Sequence, residues 1–144
     1  MNGGADMSCI EKAKELLETE NCTCVLFKDV LLYKSQRRGV MPLLQLLDEG
    51  ADVTGAAAAD RVVGKATAFL YCLLGVAQVH ARVMSKPAAQ VFQEAGIEYS
   101  WDQLVEGIQN RQKNGPCPME HATRNCKTAH EALTAVRETL KNLP

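Results

Sequence analysis

Three helix-like segments of this chain close on a glycine, at Gly50, Gly75 and Gly96, and a strand-like segment follows each one. Glycine just past a helix takes the left-handed conformation without steric cost and turns the chain back on itself. Helix, glycine and strand repeated in this way leave few architectures open. With an opening hairpin, the order predicts an α/β protein: a mixed sheet of about five strands between helical layers, α/β/α.

The individual segments follow from local chemistry. Residues 8–19 pattern as a helix, with Ser8 and Glu11 spaced as a capping box and Ile10, Ala13, Leu16 and Leu17 on one face. Cys22–Phe27 and Val30–Tyr33 read as the arms of a β-hairpin around Lys28-Asp29. Pro42 sits at the first turn of a Leu-rich helix ended by Gly50. Ala56–Ala59 reads as a buried strand, and Asp60 as the N-cap of a helix carrying Val62, Val63, Ala66, Phe69, Leu70 and Leu73. Residues 76–84 alternate, placing Ala77, Val79, Ala81 and Val83 on a buried face and Gln78, His80 and Arg82 on a more polar one. Ser85-Lys86-Pro87 starts the next helix. Ile97–Tyr99 and Leu104–Ile108 read as two strand pieces with Trp101 packed beneath. A helix runs from Pro118 and restarts at a second capping box, Thr128 with Glu131, after a bend near Asn125.

The 144 residues fit one domain, and a hydrophobic fraction of 47% supplies a core. Sixteen basic against 17 acidic residues give no concentrated positive surface for nucleic acid or an anionic membrane. Lys34 with Arg37-Arg38 is the one basic cluster and reads as a solvated turn. No apolar run approaches the ~20 residues that span a bilayer, and residues 1–7 lack the basic and apolar regions of a secretory signal. Six scattered cysteines in an apolar-rich chain point to reduced thiols and a cytoplasmic setting.

Asn110-Arg111, a short turn, and Cys117-Pro118-Met119-Glu120 at a helix start gather an amide, a guanidinium, a thiol and a carboxylate. A helix N-terminus presents unpaired N–H groups and favours anions, so this stretch reads as one wall of a polar pocket. Arg111 offers a planar fork for carboxylate or phosphate, or braces the following loop; Asn110 adds a donor and an acceptor. Cys117 reads first as a helix cap, with Pro118 at N1 and Glu120 reaching back to the cap N–H. The same position favours a thiolate, and a nucleophile there would want a base. His80 is a better candidate for it than His121, which points away. Cys22 and Cys24 share a strand face and read as core; Cys72 and Cys126 read as small hydrophobes and His130 as solvated.

Four segments in order, Asp60-Arg61-Val62-Val63-Gly64-Lys65-Ala66-Thr67-Ala68, Ser85 after a Val-rich strand, Ile108-Gln109-Asn110-Arg111 and Cys117-Pro118-Met119-Glu120, carry a family resemblance. They resemble a family of small uncharacterised bacterial proteins, a domain of unknown function with a cytidine-deaminase-like fold. The similarity runs from about residue 22 to the C-terminus, which makes 22–144 the core and 1–21 a helical extension within a single domain 1–144. In zinc deaminases of this fold two helix starts hold the metal, one with His or Cys followed by Ala-Glu and one with Pro-Cys-x-x-Cys. Here those starts read Gly64-Lys65-Ala66 and Ser85-Lys86-Pro87-Ala88-Ala89, without those ligands. The resemblance therefore implies the fold without the hydrolytic zinc chemistry, and no metal or other cofactor is expected. It also places Lys65 at the metal position, with Gly64 allowing close approach. Asp60 then caps its helix or pairs with Lys65 or Arg111, and Ser85 caps its own with a hydroxyl towards the same cavity.

The leading expectation is binding of a small anionic or nucleotide-like ligand by Asp60, Lys65, Ser85, Asn110, Arg111, Cys117 and Glu120. An enzyme using Cys117 as nucleophile or redox centre is the second reading. An interaction protein, assembled as a homo-oligomer through apolar faces of the first or last helix, is the third.

Overall fold

The computed structural model describes residues 7–110 and 112–143. The leader-peptide reading therefore falls almost wholly outside the described residues. Helix α1 (Cys9–Thr19) is followed by β1 (Cys24–Lys28), β2 (Val30–Ser35), α2 (Met41–Glu49), β3 (Ala57–Val63) and α3 (Lys65–Leu74). Then come β4 (Gln78–Ser85), α4 (Lys86–Ala95), β5 (Glu98–Val105), α5 (Pro118–Thr123) and α6 (Ala129–Asn142). One sheet runs β2-β1-β3-β4-β5, with β1 antiparallel to both neighbours and β3, β4 and β5 parallel. The mixed five-stranded α/β architecture expected from the order of segments is what the chain forms.

The punctuation works as its chemistry requires. Gly50, Gly75 and Gly96 all take positive φ and end α2, α3 and α4. Ser8 Oγ accepts the Glu11 N–H while a Glu11 carboxylate oxygen accepts the Ser8 N–H, and Thr128 and Glu131 repeat the device at α6. The hairpin closes on Asp29 alone, in the left-handed region at φ 62°.

Two cores follow from the period-2 alternation of the central strands. Leu26, Ala58, Val79 and Ala81 join Leu43, Leu70, Tyr71, Phe92 and Val136 in the larger one, beneath α2, α3, α4 and α6. The other strand face is covered by α1, where Ala13 and Leu17 pack on Cys22, Val25 and Ala59. Helices thus flank the sheet unequally, and α1 covers one face alone among the described helices. At about 1.5–3 kcal/mol for each fully buried large apolar side chain, the larger cluster carries most of the stability.

Several local expectations need correction. Asp60 is not a helix cap: it lies within β3, opposite Cys24 on β1 and Ala81 on β4. Val62 and Val63 likewise belong to the strand, and the N-cap of α3 is Gly64. The strand pieces around Ile97–Ile108 are one continuous strand, β5. Trp101 is 40% exposed on this edge, stacked against Tyr99 at 6.0 Å rather than packed beneath. Cys22 precedes β1 and joins the α1 cluster, whereas Cys24 enters the main core, so the two thiols do not share an environment. His80, assigned to the polar face of β4, is buried because α1 and β5 close over it.

Candidate functional site

The site is built at the point where β3 ends and α3 begins. Parallel strands joined by helices leave a crevice beyond their carboxyl ends, and ligands of such sheets collect there. A cavity of about 550 Å3 opens at this position. Asp60 and Thr67 contribute from β3 and α3, Cys117 and Glu120 from the start of α5, Val40 from the N-cap of α2 and Leu140 from α6.

Asp60 is the most constrained polar group in the wall. Only 8% of its surface is exposed. The Tyr71 hydroxyl donates to Oδ2 at 2.6 Å, and the Val62 N–H donates to Oδ1 at 3.2 Å. Cys24 Sγ lies 3.2 Å from the same hydroxyl, completing a buried thiol–phenol–carboxyl chain. Desolvation pushes the Asp60 carboxyl up to about 7; the Tyr71 hydroxyl and the backbone N–H groups of Val62 and Arg61 oppose it only in part. The same burial, with Asp60 as neighbour, raises both the Tyr71 hydroxyl and the Cys24 thiol well above their usual values.

Glu120 does not cap its own helix. Its Oε2 accepts the Lys65 N–H at 2.9 Å, so the carboxylate from α5 satisfies an orphan donor at the start of α3. Cys117, the N-cap residue of α5, makes no side-chain capping bond. Gly64 is what allows the approach: a Cβ there would lie 2.7 Å from Glu120 Oε1 and 2.8 Å from its Cδ. That Oε1 is enclosed and has no hydrogen-bond partner.

The remaining candidates are placed differently. Lys65 turns its ammonium to the carbonyl of Arg124 at 2.9 Å, at the far end of α5, and is not among the cavity-lining residues. Ser85 is fully buried and caps α4 through the Ala88 N–H. Asn110 spends its amide on Asn114 and braces the turn before α5, leaving Ile108 and Gln109 to face the cavity. Arg111 lies outside the described residues. Three of the seven, Asp60, Cys117 and Glu120, meet at one cavity.

His80, proposed as a base for Cys117, faces α1 on the opposite side of the sheet. Its Nδ1 is 2.7 Å from Ser100 Oγ, and Nε2 is 3.2 Å from Asp102 Oδ1 without the alignment of a hydrogen bond. His121 and His130 are exposed. Among the described residues, no three His, Cys, Asp or Glu side chains cluster so that they could hold a metal ion, and no helix is long and apolar enough to cross a membrane.

Sequence reasoning missed Tyr71 and Thr67, and the apolar wall from Val40 and Leu140. Tyr71 had a signal of its own, a phenol inside an otherwise apolar helix, since a buried hydroxyl needs a partner.

An α/β domain with this cavity belongs by sequence to a known group. Residues 12–140 match the family model described as TM1506, domain of unknown function (DUF1893), and the chain belongs to that family. Its fold is that of a DUF1893 family protein from Thermotoga maritima: TM-score 0.86 and 22% identity, over 93% of this chain and 91% of the other. A dCMP deaminase from the cyanophage S-TIM5 aligns with TM-score 0.46 and 14% identity, over 65% of this chain and 93% of the other. A diaminohydroxyphosphoribosylaminopyrimidine deaminase/5-amino-6-(5-phosphoribosylamino)uracil reductase from Thermotoga maritima also gives 0.46, at 15% identity over 65% of this chain and 35% of that one. No curated protein matches the chain.

Proposed function

We propose that the protein binds a small nucleotide-like ligand in the cavity between β3, α3 and α5, without zinc-dependent deamination. The observation that carries this reading is the cavity itself: about 550 Å3, with a buried and doubly hydrogen-bonded carboxyl set among apolar walls. Ligand sites have this composition, mostly apolar lining with a few fixed polar groups, and this size range. Val40, Met41, Ile108 and Met119 suit a flat ring, while Arg38 in the wall offers a charge for an anionic substituent. Arg111, two residues after Gln109 in the chain, is the further candidate for the anion. In this reading Cys117 lines the pocket and Glu120 fixes its frame. The alternative of nucleophilic catalysis by Cys117 has less support, because His80 lies across the sheet and the other two imidazoles are exposed.

Native mass spectrometry of the protein purified from cells tests the reading, followed by thermal unfolding with a panel of purine and pyrimidine nucleotides. A bound species stabilises the fold by RT ln(1 + [L]/Kd). At least one nucleotide is expected to raise the midpoint of the wild type and not that of Met119→Trp, which fills the cavity. No adduct together with no shift across the panel rejects the function. The mass spectrum also counts subunits, and an oligomer whose stability ignores every nucleotide would favour a scaffold.

A further inference from the structure

We propose that Asp60 is the polar anchor of this cavity and that the ligand docks on it through an amidine-type edge, a C–NH2 group beside a ring nitrogen or its protonated equivalent. The inference rests on the binding reading above and names the chemistry that the pocket selects.

A carboxyl has two oxygens with about four acceptor directions. The Tyr71 hydroxyl takes one on Oδ2 and the Val62 N–H takes one on Oδ1, which fixes the group and leaves acceptor capacity on both oxygens. Tyr71 is the only side chain whose hydrogen bond to Asp60 is resolved among the described residues, and its donor is already committed. Asp60 also lines the cavity, and its remaining capacity is what a ligand there would meet. Leaving buried polar capacity unpaired is costly, and a ligand that fills it gains selectivity from that cost.

An amidine edge fits a carboxyl by two parallel hydrogen bonds in either protonation state. A carboxylic acid pairs with the neutral edge, donating to the ring nitrogen and accepting from the amine. A carboxylate pairs with the protonated edge and accepts both. The same two contacts form wherever the proton resides. The ring behind such an edge is flat and apolar, which the side chains of Ile108 and Met119 accommodate.

The test is an NMR titration of the 15N-labelled protein with benzamidine, 2-aminopyridine, aniline and pyridine, repeated on Asp60→Asn and Asp60→Ala. Thermal unfolding of each variant checks its fold. In the wild type, 2-aminopyridine and benzamidine are expected to shift Thr67 and Met119 amides and to bind about tenfold more tightly than aniline or pyridine, which carry half an edge each. An asparagine amide still pairs with neutral 2-aminopyridine but cannot accept both donors of benzamidinium. Asp60→Asn is therefore expected to lose benzamidine and keep 2-aminopyridine, and Asp60→Ala to lose the preference altogether. If all four probes shift the cavity amides with equal affinity, or the preference survives in Asp60→Ala, the cavity stands and the anchor falls. If no probe shifts those amides, this proposal falls, while the nucleotide panel still decides the binding reading on its own.

Discussion

Glu120 Oε2 accepts the backbone N–H of Lys65 at 2.9 Å, across 55 residues of sequence. The contact ties α5 to the first turn of α3 and frames one side of the cavity. It exists because residue 64 has no side chain. Gly64 has φ −99°, a conformation open to any residue, so the requirement for glycine is steric and not conformational. Gly64→Ala is expected to push the Glu120 carboxylate away and release the Lys65 N–H, at a cost of about 1–3 kcal/mol. Urea unfolding measures it. In Glu120→Ala only Ile108 Cγ1, 3.0 Å from such a Cβ, still crowds the position, so Gly64→Ala in that background should cost less. Additive costs would show that the two residues act independently.

The Asp60 carboxyl makes stability depend on pH. Its folded value, about 7, lies above the ordinary aspartate value of 3.8 because burial disfavours the charged form. A raised acid contributes its full stability below the unfolded value, and loses it as pH rises from about 4 to about 7. At roughly 1.4 kcal/mol per unit, the loss is on the order of 4 kcal/mol. Asp60→Asn removes the titrating group. The variant's unfolding midpoint, relative to wild type, should therefore rise between pH 4 and pH 7 and level off above that. A difference that stays flat over this range would show that Asp60 is already ionised in the fold at low pH.

Tyr71→Phe tests the support for that carboxyl. Removing the hydroxyl deletes the 2.6 Å bond to Oδ2 and the contact with Cys24 without altering the ring's packing. The expected cost is about 1–3 kcal/mol, larger above pH 7 than below pH 4, because a hydrogen bond to an ionised acceptor is the stronger. Equal cost at both pH values would mean that the phenol serves Cys24 and not Asp60.

The pattern of residues revealed most of the scaffold and less than half of the candidate cavity. Glycine stops, capping boxes and the hairpin depend on residues within four positions of one another, and these local rules hold at Gly50, Gly75, Gly96, Ser8 and Thr128. Asp60 misled because an aspartate before an apolar run has the same appearance whether it caps a helix or sits inside a strand; only the register with Cys24 decides. Glu120 misled for a related reason. Its spacing from Cys117 suits a capping box, but the N–H it meets belongs to Lys65, and no local rule links residues 120 and 65. Lys65 itself is drawn to the end of α5, where carbonyls lacking partners in the helix attract a cation.

His80 gives the opposite pH response to Asp60. Burial, aided by the Lys14 ammonium on α1 and opposed by Asp102 on β5, lowers its value below the usual 6.5. A lowered base contributes its stability in full above the unfolded value, and loses it as pH falls from 6.5 through the folded value. His80→Gln loses packing at every pH but no longer titrates, so its deficit relative to wild type should narrow on acidification. Lys14→Met removes a charge that opposes protonation and is expected to make wild-type-like packing less acid-sensitive. The local readout is hydrogen exchange in α1, which rests on its small cluster with Val25 and Ala59. Below pH 6, amides of Ala13 and Leu17 should exchange faster than those of α3, and Lys14→Met should slow them again. Uniform acceleration across α1 and α3 would place the acid response in global unfolding and not at His80.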